Sequence, residues 1–508
     1  MSKPKISFFF GAGAEISYGL PSGGKFALEI FRSSSETDKE DFRKQVQSIS
    51  PTSVYAAKWL PENYQTKRLH VFGKGEFEGL IASSLEYRRG NILGFLDDFD
   101  ENVNKILSNW DISEEIIREK FYEETGIEFG AVLYGQVIKL NEKLAEKVKL
   151  FDSEFFSAFL KVLEFNQQNR NLKRVVRAFL ELLVGACGQN LVSRLNEELF
   201  EQAPDELSVF DDLSGIFNLN YQGVGQTGME IVIEEQPVPI DESFKLADVF
   251  AELGKRILEE IYSQALDYQA LIDSHFRYLY NPKAQWAKFT RISIFLHTVR
   301  RYIKENVDID KEKLKYGPGY YHDLLALSDK FEIHAIGTTN YNNFVELILK
   351  EVNLDEVPVY HLNGSVHEYY DPYLNSIYYE GEEQKEKHIL VPFIFTQSGI
   401  KPLTSVSMSR RYVDLYDRFA QSDIICIIGY GFGGDDGHIN GMLRSLAEEE
   451  NKKIFIAHYG VGNVTTLKRE YQSKLRLSST NNLEIIPVDD QRGLDNKLWY
   501  ENLCEAVD

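Results

Sequence analysis

One short apolar strand lies far from every other strand in this sequence, and that separation constrains the fold more than any other feature. Ile6 to Phe10 reads ISFFF and runs directly into the loop Gly11-Ala12-Gly13. Comparable runs return only from about residue 328, as FEIHAIGTTN, VPVYHLNGS, HILVPFIF, DIICIIGYGFG, NKKIFIAHYG and NLEIIPVD. Short apolar runs that alternate with helical patterns are typical of parallel strands buried on both faces. We therefore predict an α/β fold with a doubly wound parallel sheet, Rossmann-like, which the first strand joins from a distance.

The residues between the first strand and the C-terminal region show a helical pattern. Apolar residues recur at intervals of three and four in the stretches 102–124, 141–165 and 246–276. The stretch 217–241 interrupts this pattern, and its composition predicts a hairpin or a loop. The prediction is one discontinuous α/β domain, residues 1–35 plus 325–508, that carries a large α-helical insertion at 36–324.

Charge and composition limit the partners of this 508-residue chain. The balance of 56 Lys+Arg against 78 Asp+Glu gives a net charge of −22, which argues against non-specific nucleic-acid binding and against an anionic membrane surface. Two basic stretches, 172–180 and 297–315, are interpreted as solvated helix faces. Three scattered cysteines indicate neither a disulfide framework nor a cysteine-ligated zinc. With no secretory signal and no run approaching the ~20 apolar residues of a membrane span, the protein is expected to be cytoplasmic.

The glycines after the first strand leave bare backbone where N–H groups and a helix N-terminus attract anions. Ile16 stands where the fingerprint G-x-G-x-x-G needs its third glycine, and no Gly-Lys-Ser/Thr sequence closes a nucleoside-triphosphate loop. A plain strand-to-helix turn explains this loop equally well by itself. However, the stretches 336–344, 361–367 and 427–440 also follow predicted strands. In an open parallel sheet the carboxyl ends of the strands form the ligand edge, so four such loops predict a nucleotide crevice.

These four loops, in this order, resemble the sirtuins. GAGAE resembles the family's GAG-x-S loop, TTNYN its T-Q-N-x-D stretch, NG its catalytic His-Gly step, and GYG its late glycine loop. Without zinc cysteines, the chain is most similar to the sirtuin-like domains of bacterial antiphage defence, which cleave and deplete NAD+. The resemblance covers residues 5–31 and about 330–490. It implies a sirtuin-like fold and NAD+ as substrate or ligand.

The resemblance also implies roles for individual residues. Asn340 would position the nicotinamide ribose and the attacking water. The pyrophosphate would be cradled by Gly11, Ala12 and Gly13, next to Ala14 and Glu15. The adenosine end would be bordered by Gly429, Tyr430, Gly431 and Asn440, and the remaining cofactor-binding positions are Thr339, Asn342 and Gly364.

The sequence departs from the family at several of these positions. Glu15 replaces a serine, Thr339 a glutamine and Asn342 an aspartate. The catalytic histidine should precede Gly364, where this chain has Asn363. An imidazole accepts a proton near neutral pH, whereas an amide does not.

Two nearby histidines are candidates for the missing base. His361 lies two residues before Asn363 and therefore on the same side of a strand, and His367 lies just past the loop. Each is also compatible with an ordinary structural role. Loss of the base need not abolish cleavage, because nicotinamide is a good leaving group and positioning can lower much of the barrier.

Two hypotheses from different classes remain. The first is an NAD+ glycohydrolase effector of antiphage defence, homo-oligomeric through its insertion and controlled by a phage-derived activator or a partner defence protein. The second is a non-enzymatic NAD+- or ADP-ribose-binding sensor or scaffold subunit. Protein deacylation ranks third among the possible functions, behind these two hypotheses. Asp435, Asp436 and His438 are interpreted as helix capping, so no metal is predicted.

Overall fold

The computed structural model of the chain describes residues 3–21, 23–73, 76, 79–80, 83–84, 87–108, 110, 112–137, 139–140, 146, 148–187, 200–202, 225–234, 245–265, 269–306, 309–395 and 405–507. The chain divides into two compact units. The sheet unit comprises residues 1–23, 33–71 and 272–508, and the helical unit comprises residues 24–32 and 72–271.

The sheet unit is built on six parallel strands. In chain order they are β1 (Lys5–Phe10), β2 (Glu332–Thr338), β3 (Val359–His361), β4 (Ile424–Ile428), β5 (Lys453–Tyr459) and β6 (Leu483–Val488). Their order across the sheet is β6-β5-β4-β1-β2-β3, and all neighbours are parallel. Counted from β3, this is 3-2-1-4-5-6, the order of the Rossmann fold. The predicted α/β class and its doubly wound parallel sheet are confirmed.

The first strand occupies the centre of this sheet because both of its faces are apolar. Ile6, Phe8 and Phe10 point to one face and Phe9 to the other, and all four side chains are fully buried. Such a strand is stable only with helices on both sides of the sheet. The phenylalanines therefore explain why a strand 320 residues from its neighbours is inserted between them.

Helices cover both faces of the sheet and connect its strands. In the sheet unit they span Glu36–Gln47, Val54–Trp59, Trp286–Arg301, Lys311–Tyr316, Tyr320–Ser328, Phe344–Glu351, Val406–Ala420, Gly437–Glu448, Val464–Leu475 and Trp499–Val507. Short 3-10 helices span Ala12–Tyr18, Arg277–Tyr280 and Gly434–Asp436, and a π-helical turn spans Tyr302–Asn306. A two-stranded hairpin pairs Gly493–Leu494 with Lys497–Leu498. Residues 36–71 and 272–324, which lie in the predicted insertion, belong to this unit.

A separate antiparallel sheet follows β3. Its strands Ser376–Tyr379, Gly364–Asp371 and Val391–Ile394 lie in that order. The run HILVPFIF, which we expected in the main sheet, supplies the last of them, so that prediction is wrong. The chain leaves the main sheet at Gly364, where φ is +81° and any Cβ would overlap the Phe393 carbonyl. Only glycine tolerates both conditions.

The helical unit is described by itself. Its helices span Gly23–Arg32 (from residue 24), Arg89–Asp97, Phe99–Leu107, Glu114–Thr125, Tyr134–Val137, Glu154–Phe165, Arg170–Cys187, Gln226–Glu234 and Leu246–Ala265, and Gln269–Phe276 crosses its boundary. Lys139–Leu140 pairs with Phe200–Gln202, and Leu150–Asp152 is a 3-10 turn. Edge-on contacts among Phe99, Phe159 and Phe179 form part of its core.

Two of the predicted elements of this unit differ from the structure. The continuous pattern 102–124 is divided between two helices, because Ser113 caps the second one by accepting a hydrogen bond from Ile116 N. The predicted hairpin or loop at 217–241 contains the helix Gln226–Glu234, while 217–224 and 235–241 lie outside the described residues. Residues 141–145 also lie outside them. Within the described ranges, no helix is both long enough and apolar enough to cross a membrane.

Candidate functional site

The loops after β1 and β4 meet at the point where the strand order reverses. Gly11 N donates to Ile428 O and Gly13 N to Gly429 O, each at 2.9 Å. A Cβ on Gly11 would lie 2.5 Å from Gly429 O, and a Cβ on Gly13 would lie 2.8 Å from Gly429 Cα. The glycines thus let two backbones touch, and the N–H groups of Gly11 and Gly13 are used by the neighbouring loop. This is the position at which open α/β sheets bind ligands.

The first loop continues into a 3-10 helix, Ala12–Tyr18, which ends at Gly19 with φ +98°. We expected a helix here, and its seven residues are of the tighter 3-10 type. Ala12 is exposed at its start, whereas Ala14 and Glu15 are buried. The loop therefore exposes Ala12 and buries the carboxyl group of Glu15.

The loop after β4 is held by the side chain of Asn440. Its Nδ2 donates to Gly433 O at 3.0 Å, and its Oδ1 accepts from the Tyr430 hydroxyl at 2.9 Å. A Cβ added to Gly431 or Gly434 would meet no atom within 4 Å. Neither residue has a positive φ, so the protein's own packing does not demand glycine there. Both positions leave backbone open to a ligand at the N-terminal end of the helix Gly437–Glu448.

A buried polar cluster lies under the first loop. The Tyr321 hydroxyl donates to Glu15 Oε1 at 2.6 Å, and Asn342 Nδ2 donates to Glu15 Oε2 at 2.5 Å. Asn340 Nδ2 donates to Gly11 O at 3.2 Å and to the Tyr321 hydroxyl at 3.1 Å. Three sequence-predicted residues, Glu15, Asn340 and Asn342, are therefore brought together, and Tyr321 joins them.

The carboxyl group of Glu15 is fully buried, and this determines its proton affinity. Burial raises the pKa of Glu15 to about 7, although the hydrogen bonds from Tyr321 and Asn342 and the charge of His361 lower it. A carboxyl group with this pKa changes its charge near neutral pH. Perturbed groups of this kind are concentrated at functional sites.

His361 lies at the end of β3 between two acceptors. Its Nδ1 is 2.8 Å from Asn340 O and its Nε2 is 2.6 Å from Glu346 Oε1. Burial alone would lower the pKa of His361, but the carboxylate of Glu346 and the Asn340 carbonyl outweigh it and raise that pKa. Both neighbours are hydrogen-bond acceptors, and only the imidazolium form of the ring can donate to both of them. This geometry favours the charged form of His361 next to the Asn340 carbonyl.

Asn363 and His367 lie in different surroundings. Asn363 is buried, and its carbonyl accepts from Phe395 N at 2.9 Å. His367 is a half-buried residue of the largely buried strand Gly364–Asp371, and its Nδ1 is 3.0 Å from Glu380 Oε2. That carboxylate also contacts Arg300 and Lys304, and the His367 hydrogen bond and these cations lower the pKa of Glu380 to about 2. Thr339 is fixed through its backbone N, which donates to Phe10 O.

Sequence reasoning missed two members of the site. Tyr321 lies in the helix Tyr320–Ser328, within the predicted insertion, and Glu346 lies in the helix Phe344–Glu351. Neither position has a motif around it. A weak signal existed for Glu346, because it follows Asn340 by six residues in a segment already suspected of function.

Asp435 and Asp436 follow the second glycine loop, and their carboxyl groups could either bind a metal or cap the next helix. Asp436 occupies the N-cap position of the helix Gly437–Glu448 without a side-chain cap hydrogen bond. The side chain of Asp435 lies outside the described part of the chain. Among the described residues, no group of three or more His, Cys, Asp and Glu is arranged to hold a metal ion.

Comparisons with known proteins do not extend this description. No protein-family model matches the chain. No curated protein matches it in sequence.

Proposed function

We propose that this protein is an NAD+ glycohydrolase whose sirtuin-like site lies at the carboxyl edge of the sheet. One observation carries the proposal: the side-chain amide of Asn340 is fixed against the first glycine loop, at the switch point of a Rossmann-ordered sheet. Dinucleotides bind at this position in such sheets. The residue that the family resemblance assigns to the ribose and the water lies next to this switch point, which supports the proposal.

The proposed reaction is hydrolysis of the glycosidic bond of NAD+. Water adds to the ribose C1′ as the bond to the nicotinamide nitrogen breaks, giving ADP-ribose, neutral nicotinamide and one proton. The bond electrons pass to the pyridinium ring, so the leaving group needs no protonation. Asn340 would orient the water and the ribose, and such positioning supplies a large part of the rate.

The open glycines support binding of the phosphates. Gly431 and Gly434 lack any packing reason to be glycine, and they lie at the start of a 12-residue helix whose dipole favours an anion. The Ala12 side of the first loop is also exposed. A pyrophosphate between these two loops would have access to backbone without displacing a side chain.

A second candidate is binding of NAD+ or ADP-ribose without cleavage. It is favoured by the engaged histidine, since both ring nitrogens of His361 already face acceptors in the protein, and by Asn363, whose amide cannot act as a base. In that case the protein senses nucleotide and signals to a partner. We rank it second, because a water attacking an activated glycosidic bond does not need a strong base.

In the cell, we propose that cleavage serves antiphage defence by depleting NAD+. Control by a phage-derived activator or a partner defence protein, and assembly of the protein into a homo-oligomer, belong to the same proposal. They are supported only by the resemblance and by the presence of a helical unit of about 200 residues.

The decisive experiment compares the parent protein with Asn340→Ala and with Asn481→Ala, a matched change at an exposed loop position. Nicotinamide release and NAD+ binding are measured on the purified proteins, and cellular NAD+ is followed during phage challenge. We expect release and NAD+ collapse with the parent and with Asn481→Ala, and neither with Asn340→Ala. Binding without release would favour the sensor, and absence of both from the parent would reject the NAD+ site.

A further inference from the structure

Asn340 donates both of its amide protons to the protein. Gly11 O can only accept, so the nitrogen of this amide must face it, and the second proton goes to the Tyr321 hydroxyl. The amide oxygen Oδ1 is then the only group of this side chain that is left to serve a ligand. The rotation of Asn340 about its terminal bond is set by these two acceptors.

The Tyr321 hydroxyl is oriented in turn by Glu15. It accepts from Asn340 and donates its single proton to Glu15 Oε1. The other carboxylate oxygen, Oε2, accepts from Asn342 Nδ2, and Asn342 cannot turn over because its own Oδ1 accepts from Phe344 N at 3.0 Å. When Glu15 is ionised, each of the hydrogen bonds that join Asn342, Glu15, Tyr321 and Asn340 therefore has one donor and one acceptor.

We propose that Glu15 and Tyr321 are positioning residues that lock the amide of Asn340 with its nitrogen inward and its oxygen toward the substrate. This inference deepens the proposed function and rests on it for the identity of the substrate. Neither residue touches the reacting atoms, because both are fully buried. They act through Asn340 alone.

The lock depends on the charge of Glu15. A proton on Oε2 would face the donor Nδ2 of Asn342, and a proton on Oε1 would point at the Tyr321 oxygen, leaving the tyrosine proton without an acceptor in the cluster. The titratable groups around Glu15 are Tyr321, from the helix Tyr320–Ser328, and His361, from β3. Burial raises the pKa of Glu15 to about 7, so the lock would form as the pH rises through neutrality.

The lock also accounts for two departures from the sirtuin pattern at once. Where the resemblance leads one to expect a serine and an aspartate, this chain has Glu15 and Asn342, joined by the 2.5 Å hydrogen bond. The carboxylate and its polar partner are both present, but on exchanged loops.

The test compares Tyr321→Phe and Glu15→Gln with Tyr320→Phe, which removes a hydroxyl one residue earlier, on a ring that packs against Trp499 instead. NAD+ turnover, KM and equilibrium NAD+ binding are measured from pH 5.5 to 9. We expect Tyr321→Phe to lower kcat about 10- to 100-fold with nearly unchanged NAD+ binding, because only the orientation of Asn340 is lost. The parent should gain activity through pH about 7, and Glu15→Gln should lose that rise.

A crystal structure of the Tyr321→Phe protein tests the lock independently of any activity. We expect the Asn340 amide to rotate about its terminal bond, because only the 3.2 Å hydrogen bond to Gly11 O is then left to hold it. An Asn340 side chain in its original position, or a Tyr321→Phe protein as active as Tyr320→Phe, would overturn the inference. Failure of the proposed function has a different signature, namely a parent protein that neither binds nor cleaves NAD+ while the Asn340 rotation is still seen.

Discussion

Glu15 and Asn342 lie on two loops separated by more than 300 residues of sequence, and their side chains are joined by a 2.5 Å hydrogen bond from Nδ2 to Oε2. This contact fixes the loop after β1 to the loop after β2. It places a fully buried carboxyl group directly under the candidate nucleotide site. The first prediction follows from the proton equilibrium of that group.

Glu15→Gln should change how stability depends on pH. The pKa of Glu15 is raised from 4.5 to about 7, so the folded state binds the proton more tightly than the unfolded state. Its stabilising contribution is therefore complete below pH 4.5 and is lost as the pH rises through 7. Relative to Glu15→Gln, the parent should lose about 3 kcal/mol of unfolding free energy between pH 4.5 and pH 8. Denaturant unfolding at both pH values measures this, with the exposed Glu312→Gln as control; parallel curves for parent and Glu15→Gln would contradict it.

Gly429→Ala should disrupt the contact between the two glycine loops. Gly429 has φ +68°, and a Cβ there would overlap Ala14 N, so the substitution adds backbone strain and a steric clash. We expect a loss of about 2 to 4 kcal/mol in unfolding free energy and loss of nucleotide binding. Gly441→Ala is the matched control, because this helical position has open space around it, and alanine should stabilise it by about 0.5 to 1 kcal/mol. If Gly429→Ala and Gly441→Ala changed the unfolding free energy equally, close contact between the two glycine loops would not explain the need for glycine at 429.

Glu346→Gln should lower the pKa of His361. Removing the carboxylate leaves burial, which disfavours the imidazolium, and it is then opposed by the Asn340 carbonyl and by the charge of Glu368. A histidine with a raised pKa stabilises the fold at low pH, and that contribution disappears as the pH rises through the folded-state pKa. The variant should lose stability at pH 6 more than at pH 9, and the His361 resonance should titrate at lower pH. Glu351→Gln, at the end of the same helix, controls for the loss of charge; an unchanged His361 titration would show that the pair is not coupled.

Asp323→Ala should destabilise the sheet unit strongly. Asp323 accepts from Arg492 Nε at 2.9 Å and from the Trp499 indole at 2.8 Å, and all three side chains are buried. Its loss leaves the Arg492 guanidinium buried without its carboxylate, at a cost of about 3 to 5 kcal/mol. Thermal or denaturant unfolding measures the effect. Asp329→Ala is the control and should be nearly neutral, because Asp329 is exposed just past the helix Tyr320–Ser328. A similarly small effect of Asp323→Ala would rule out a structural role for the ion pair between Asp323 and Arg492.

The sequence by itself determined the class of the fold and the edge that carries the loops. Four of the five residues from Ile6 to Phe10 are apolar and they lie on both faces of the strand, which is typical of a covered parallel sheet, and the glycines after β1 and β4 mark loops with bare backbone. These are local properties, so they can be read from neighbouring residues. Glu15, Asn340 and Asn342 were predicted as site positions from the family resemblance, and their side chains lie in one hydrogen-bonded cluster.

Only the tertiary structure decided how those residues are connected. Tyr321 belongs to a helix with no motif, and it reaches Glu15 and Asn340 because that helix packs beneath β1. His361 is engaged by Glu346, a partner fifteen residues away on another element. The run HILVPFIF pairs with the strand Gly364–Asp371 in the antiparallel sheet instead of joining the main sheet. Hydrogen-bond partners and strand partners depend on distances between segments remote in sequence, and neither periodicity nor spacing contains that information.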